Sequence, residues 1–234
     1  PACGNILTDE QTFAFSSSQY GSLFVVQTLL AILSSLFSPK INRSIGERQL
    51  LRAGLISSAV AMLLLAGSIL IPSGSSSRYI AVLSASAFMG VGIGFGISVA
   101  NVLSATAWSA KPQRGVALLH TMLGLGLTLS PFGVSAGLAV GKWWLAPVSV
   151  VLLSIWLAIK LQVVNGEVNS DKTEVASEDS YSIPRGVMLL GVLAYLYGVA
   201  EATFSNWCVI YLFDRSEIGI GIAGLVLSGF WAAV

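Results

Sequence analysis

Residues 79–107 read YIAVLSASAFMGVGIGFGISVANVLSATA, a run without a single Asp, Glu, Lys, Arg or His. A helix crossing a bilayer needs about 20 mostly apolar residues, since each residue advances it by only about 1.5 Å. This run exceeds that length. It also lacks the regular apolar–polar alternation of an outer-membrane barrel strand. Backbone inside hydrocarbon must satisfy its own hydrogen bonds, so a helix is the structure such a run forms.

Six more stretches extend the pattern on both sides: Ser18 to Phe37, Ala53 to Ile71, Gly115 to Gly141, Trp143 to Ile159, Gly186 to Phe213 and Ile218 to Val234. The sequence therefore predicts an all-α fold, a polytopic transmembrane helical bundle. Composition agrees. Of 234 residues, 55% are hydrophobic and 10% charged, against roughly 25% charged in a soluble domain. Mean hydropathy is +0.81. These values exclude a soluble globular protein and a disordered one. A net charge of +1 with no basic, aromatic-studded patch argues against nucleic acid as a partner. Cys3 and Cys208 are too few for a disulfide framework, and the single histidine, His120, cannot build a metal site, so no metal and no cofactor are expected. The start at Pro1 and the stop at Val234, inside an apolar run, read as a fragment cut from a longer membrane protein.

The basic residues sort by connection. Lys40, Arg43, Arg48, Arg52, Lys111, Arg114, Lys160, Lys172 and Arg185 fall on one side, and Arg78, Lys142 and Arg215 on the other. The excess of Lys and Arg marks the cytoplasmic side. Loops 38–52, 108–114 and 160–185 are then cytoplasmic, in a multi-pass protein of the plasma or inner membrane. Residues 164–183 are polar and acidic and read as a cytoplasmic linker. They separate an N-terminal transmembrane half, residues 1–163, from the start of a second half, residues 184–234.

Glycines recur inside the spans. Gly90, Gly92, Gly94 and Gly96 lie on the third, and Gly133, Gly137 and Gly141 form a one-in-four stripe on the fourth. Small residues at such spacing let helix backbones approach closely in a bilayer. Pro131 predicts a kink in the fourth span. Trp143 and Trp144, beside Lys142, read as an interface anchor.

Ionisable residues deep in a span are costly and suggest function. Glu201 lies near the middle of the sixth span, with Tyr197 and Ser205 one turn away on the same face. A carboxyl there is suited to binding and releasing a proton, and it equally suits a structural hydrogen bond to another helix. His120 has the same two readings. Asn101 and Gln27 are deep amides that either line a polar cavity or bond a neighbouring helix. Trp207 either packs or offers a ring for stacking.

Three motifs carry a resemblance to a known family. SPKINRSIGERQLLRAG (38–54) resembles the loop after the second helix of the major facilitator superfamily, keeping Arg43, Gly46, Arg48 and Gly54 but not the acid of that pattern. ALLHTMLGLGLTLSP (117–131) is similar to a fifth-helix motif of the fucose-permease-like branch, with Leu119, His120, Gly124, Leu125, Gly126 and Pro131 in place and Met122, Leu123 and Ser130 departing from it. YGVAEATFSNWCVIYL (197–212) resembles the seventh-helix motif of that branch through Glu201, Trp207 and Tyr211. The acid common on that branch's fourth helix, four residues before an Asn, is replaced here by Ile97.

The resemblance implies a major facilitator fold, of which about seven of twelve helices are present, the first being absent. It implies a secondary transporter, not an enzyme, that moves a small polar solute, a sugar among the candidates, by alternating access and with possible proton symport. The substrate residues it points to are Glu201, Asn206, Trp207, Tyr197, Asn101 and Gln27. Glu201 and His120 are the proton-coupling candidates, and Arg43, Gly46 and Arg48 belong to the conformational loop. The partners implied are a solute and the bilayer, with a monomer as the full-length state. A seven-helix receptor is the alternative that the span count allows, although neither an Asp-Arg-Tyr after the third span nor an Asn-Pro-x-x-Tyr in the last is present.

Overall fold

The computed structural model describes residues 4–163, 185–216 and 219–233. A short helix, α1 (Gly4–Thr8), precedes seven longer ones: α2 (Ser17–Ile45), α3 (Glu47–Gly67), α4 (Ser76–Ala107), α5 (Pro112–Ala139), α6 (Leu145–Val163), α7 (Arg185–Ser216) and α8 (Ile220–Ala233). A 3-10 turn, Ser68–Leu70, ends α3. No strand occurs among the described residues. Each of the seven expected stretches holds one of these longer helices among its described residues. Four helices, Ser17–Ile45, Glu47–Leu70, Ser76–Ala107 and Pro112–Ala139, are long and apolar enough to cross a membrane, and Leu145–Leu161 and Ile222–Ala233 are shorter apolar helices. The expected linker at 164–183 lies outside the described residues.

Local chemistry sets the boundaries. Ser16 caps α2 by accepting from the Gln19 amide at 3.2 Å, while the Gln19 side chain accepts from the Ser16 amide at 3.0 Å. Two of the helix's orphan donors are satisfied this way. Ser75 caps α4 through the Arg78 amide. Pro112 opens α5 at a position where a missing N–H costs nothing. Helix α5 runs on through Pro131, which is buried.

One expected loop is nearly absent. Helices α2 and α3 extend through residues 38–52 and leave only Gly46 between them. Gly46 holds φ at 83°, which a residue without Cβ adopts freely. Lys40 and Arg43 thus sit on the last turns of α2, and Arg48 and Arg52 on the first turns of α3.

The core is thin and the surface apolar, as lipid requires. Leu36 is 70% exposed and Leu152 65%. Such side chains gain nothing by burial when lipid is the solvent, so close backbone packing and hydrogen bonds hold the helices together. Helix α4 packs on both α2 and α3, α3 packs also on α6, and α5 packs on α8. The alternate glycines of α4 divide between its two neighbours. A Cβ on Gly90 or Gly94 would strike the α2 backbone at Gln27 or Ala31, and one on Gly92 would strike Ser58 and Gly54 of α3. Hydroxyls bridge the same seams: Ser57 donates to the Phe88 carbonyl at 2.7 Å, Ser35 meets Ser98 at 2.9 Å, and Ser22 meets the Tyr79 hydroxyl at 2.7 Å.

The expected stripe on α5 behaves otherwise. Gly133 has open space around it, and Gly137 faces Lys142 and Trp143 of the following turn. Gly141 lies beyond the helix with φ of 69°.

Where α2 begins, residues 4–16 fold across the bundle end. Phe13 and Phe15 are buried, Phe13 edge-on to Trp143 and Phe15 edge-on to Tyr79. Trp143 is therefore not an interface anchor; it is 7% exposed and part of this core, while Trp144 is exposed. Arg78, counted in the sequence among the basic residues of the non-cytoplasmic side, is likewise buried. Its guanidinium donates to the carbonyls of Thr12, Ile69 and Ile71 and lies 4.9 Å from the Phe13 ring centroid. Carbonyl dipoles and an aromatic face here supply the partners that a buried cation needs.

Candidate functional site

A cavity of about 890 Å³ lies among α2, α3, α4, α5 and α6. Leu7, Tyr20, Phe24, Met62, Met89 and Val134 are among its walls. The polar side chains facing it are Tyr20, Gln27, Ser86, Ser130 and Ser149, and no charged side chain among the described residues lines it. Gly126 and Gly133 of α5 supply bare backbone to the wall. Such a space accepts an uncharged guest, with an amide and hydroxyls to fix its orientation. Gln27 is positioned by α4, because Gly90 brings that helix onto the Gln27 carbonyl.

A second constellation lies on α7. Tyr197 and Glu201 lie one helical turn apart on the same face of α7. Tyr197 is 56% exposed, Glu201 half-buried and Ser205 buried, so this face runs from the surface inward. The Ser205 hydroxyl is buried with no partner among the described residues. One turn further along, the Asn206 carbonyl accepts a hydrogen bond from the Tyr20 hydroxyl at 2.9 Å, and the Trp207 ring stands edge-on to Tyr20 with centroids 5.3 Å apart.

A profile of the Major Facilitator Superfamily matches residues 5–234. The chain belongs to the Major Facilitator Superfamily. It is a membrane transporter of that superfamily, which removes the seven-helix receptor reading. No curated protein and no solved structure matches the chain.

The structure of this facilitator gathers its sequence-predicted residues only in part. Gln27 faces the cavity. Glu201 and Tyr197 share one face of α7, away from the cavity walls. Trp207 packs on Tyr20 and the surrounding core, the bland alternative of the sequence reading. Asn206 contributes its carbonyl to the same contact. Asn101 turns its amide back to the Ile97 carbonyl of its own helix at 2.9 Å. His120 is exposed on α5. Arg43 and Gly46 are exposed at the α2–α3 junction, and Arg48 is half-buried. Among the described residues, these positions do not form one pocket.

Sequence reasoning passed over Tyr20 and gave Arg78 and Trp143 no place in a core. The first stands directly after a Ser-x-x-Gln capping box, a signal that fixes the helix start and hence the end of the bundle where a buried tyrosine lies. Arg78 was legible only as a basic residue near a helix start. Its carbonyl partners lie as far away as Thr12 in the chain.

Proposed function

We propose that this facilitator is a secondary active transporter that moves a small uncharged polar solute by alternating access, with proton binding at Glu201 coupled to transport. The cavity carries this reading: it lies among the helices, is large enough for a small molecule, and presents only neutral groups among the described residues. Gln27, Ser86, Ser130 and Ser149 offer hydroxyl and amide partners of the kind a sugar needs, and the apolar remainder suits its less polar face. Membership of the fucose-permease-like branch, from the motifs at 117–131 and 197–212, favours a sugar over other polyols. The helices up to residue 163 form one half of the transporter and those from residue 184 begin the other. The ends of α2 and α6 that carry Lys40, Arg43 and Lys160, and the start of α5 at Lys111, face the cytoplasm.

Glu201 is the proton carrier in this reading because it is the one acid of the chain near the middle of a span. Tyr197, one turn away on the same helix face, stands where a phenol can partner the carboxyl, and that contact changes when the proton binds. Uptake of labelled monosaccharides into proteoliposomes under an imposed pH gradient tests both parts. Glu201→Gln is expected to abolish gradient-driven uptake and to leave sugar-induced thermal stabilisation in place. Undiminished driven uptake in that variant removes Glu201 from the mechanism. A folded protein that no monosaccharide stabilises removes the sugar.

A further inference from the structure

The largest fully buried side chain among the described residues belongs to neither the sugar partners nor the proton carrier. Tyr20, on the first turn of α2, is 1% exposed. It joins helices from the two sides of the 164–184 segment. Its hydroxyl donates to the Asn206 carbonyl of α7 at 2.9 Å, and its ring stands edge-on to Trp207 at an interplanar angle of 84°. Phe24 supports the same ring from its own helix, with centroids 5.0 Å apart. Helix α1 is wedged into the joint: a Cβ on Gly4 would come within 2.8 Å of the Tyr20 hydroxyl and 3.1 Å of Ile210 on α7. On its other side Tyr20 lines the cavity, together with Gly4, Leu7 and Phe24. The same residues therefore bound the cavity at this end and hold α2 to α7.

The chemistry of this joint differs from that of the fixed seams. On α4, glycines set backbone against backbone, which cannot part without losing many contacts at once. The tie from Tyr20 to Asn206 and Trp207 is made by a neutral hydrogen bond and ring edges, which can be broken and remade without stranding a charge. The adjoining cap does not depend on α7, since Arg78 and Trp143 hold residues 12–15 to α4 and to the start of α6.

We infer that Tyr20 is the gating residue at this end of the transport path. Seated on Asn206 and Trp207, it closes the cavity where α2 begins; as α7 draws away, that end opens. The inference deepens the alternating-access reading and rests on it.

The test is site-specific labelling, which requires no knowledge of the solute. Ser86→Cys places a reporter on the cavity wall of α4, in a background carrying Cys3→Ser and Cys208→Ser. The intact protein is reconstituted in sealed vesicles of both orientations and treated with a membrane-impermeant maleimide. Tyr20→Ala is expected to raise the labelling rate from the Tyr20 side by about tenfold or more, and to lower it from the opposite side. Tyr20→Phe keeps the ring and removes the hydroxyl that donates to Asn206, so a rise of about fivefold from the Tyr20 side is expected. This second variant keeps the test decisive if Tyr20→Ala does not fold. Rates unchanged from both sides, or raised equally from both, overturn the gate, because loosened packing has no reason to favour one face. A one-sided shift in a protein that carries no sugar leaves the gate standing and overturns only the choice of solute.

Discussion

On α4, a methyl group added at Gly90, Gly92 or Gly94 would collide with a neighbouring helix; on α5, Gly124, Gly126 and Gly133 have open space at the same position. Both helices carry glycine in apolar surroundings, and the sequence reading treated the two alike. What separates them is the surface opposite. Helix α2 offers Ala31 and Ser34 to α4, and α3 offers Gly54 and Ser58, so small meets small and the backbones close together. Gly126 and Gly133 of α5 instead form cavity wall. The contact of α5 with α8 is made by a glycine of the partner, Gly224, set against Ser135. Small-residue spacing thus permits close approach without compelling it. One helix uses its glycines to fix the scaffold, and the other uses them to leave room.

Substitutions can break this comparison in graded steps. Gly90→Val should have the largest effect, about 3 kcal/mol of destabilisation and loss of most folded protein, since the obstacle is the α2 backbone at Gln27. Thermal unfolding in detergent measures it, and a melting temperature equal to that of the unaltered chain would show that α2 and α4 are not locked. Gly92→Ala should cost about 1 kcal/mol in the same assay. The Ser58 hydroxyl there can rotate away, while the Gly54 carbonyl, 3.0 Å from the added carbon, cannot. Gly133→Ala should have the smallest effect and the opposite sign, a gain of about 0.5 kcal/mol from reduced backbone freedom in the unfolded chain. A clear loss of stability there would mean that the α5 glycine face is in contact after all. The variant also sharpens the functional half of the comparison: an added methyl on the cavity wall should weaken sugar-induced stabilisation by severalfold, read as a smaller melting-temperature shift at fixed sugar concentration.

The same contrast explains what could be read from the sequence. The helices were legible because apolar length is a property of one segment at a time. The run at 79–107 is long and charge-free whatever surrounds it, and it became α4. The partners of a residue are not such a property. Trp143 has the neighbours of an interface anchor in the sequence, yet Phe13, from far along the chain, covers it. Arg78 voted as an outer charge, yet carbonyls from two other segments enclose it. The candidate site divides in the same way. The shared face of Tyr197 and Glu201 follows from helical spacing alone and is present. Trp207 depended on what faced it, and Tyr20 does. The loop at 38–52 failed for a different reason: its charges suggested exposure to water, and exposure is compatible with helix as well as with loop.

That junction has a mechanical consequence. A single residue advances the chain by about 3.8 Å, so Gly46 leaves α2 and α3 almost no slack between their ends. Both helices are also seated on α4 by the glycines of that helix. A turn of α2 about its axis must therefore be absorbed at one φ/ψ pair or be carried into α3 and α4. Two helices that the sequence separates by a basic loop behave as the two arms of one lever. Its fulcrum is α4, and Tyr20 sits at the tip of the longer arm.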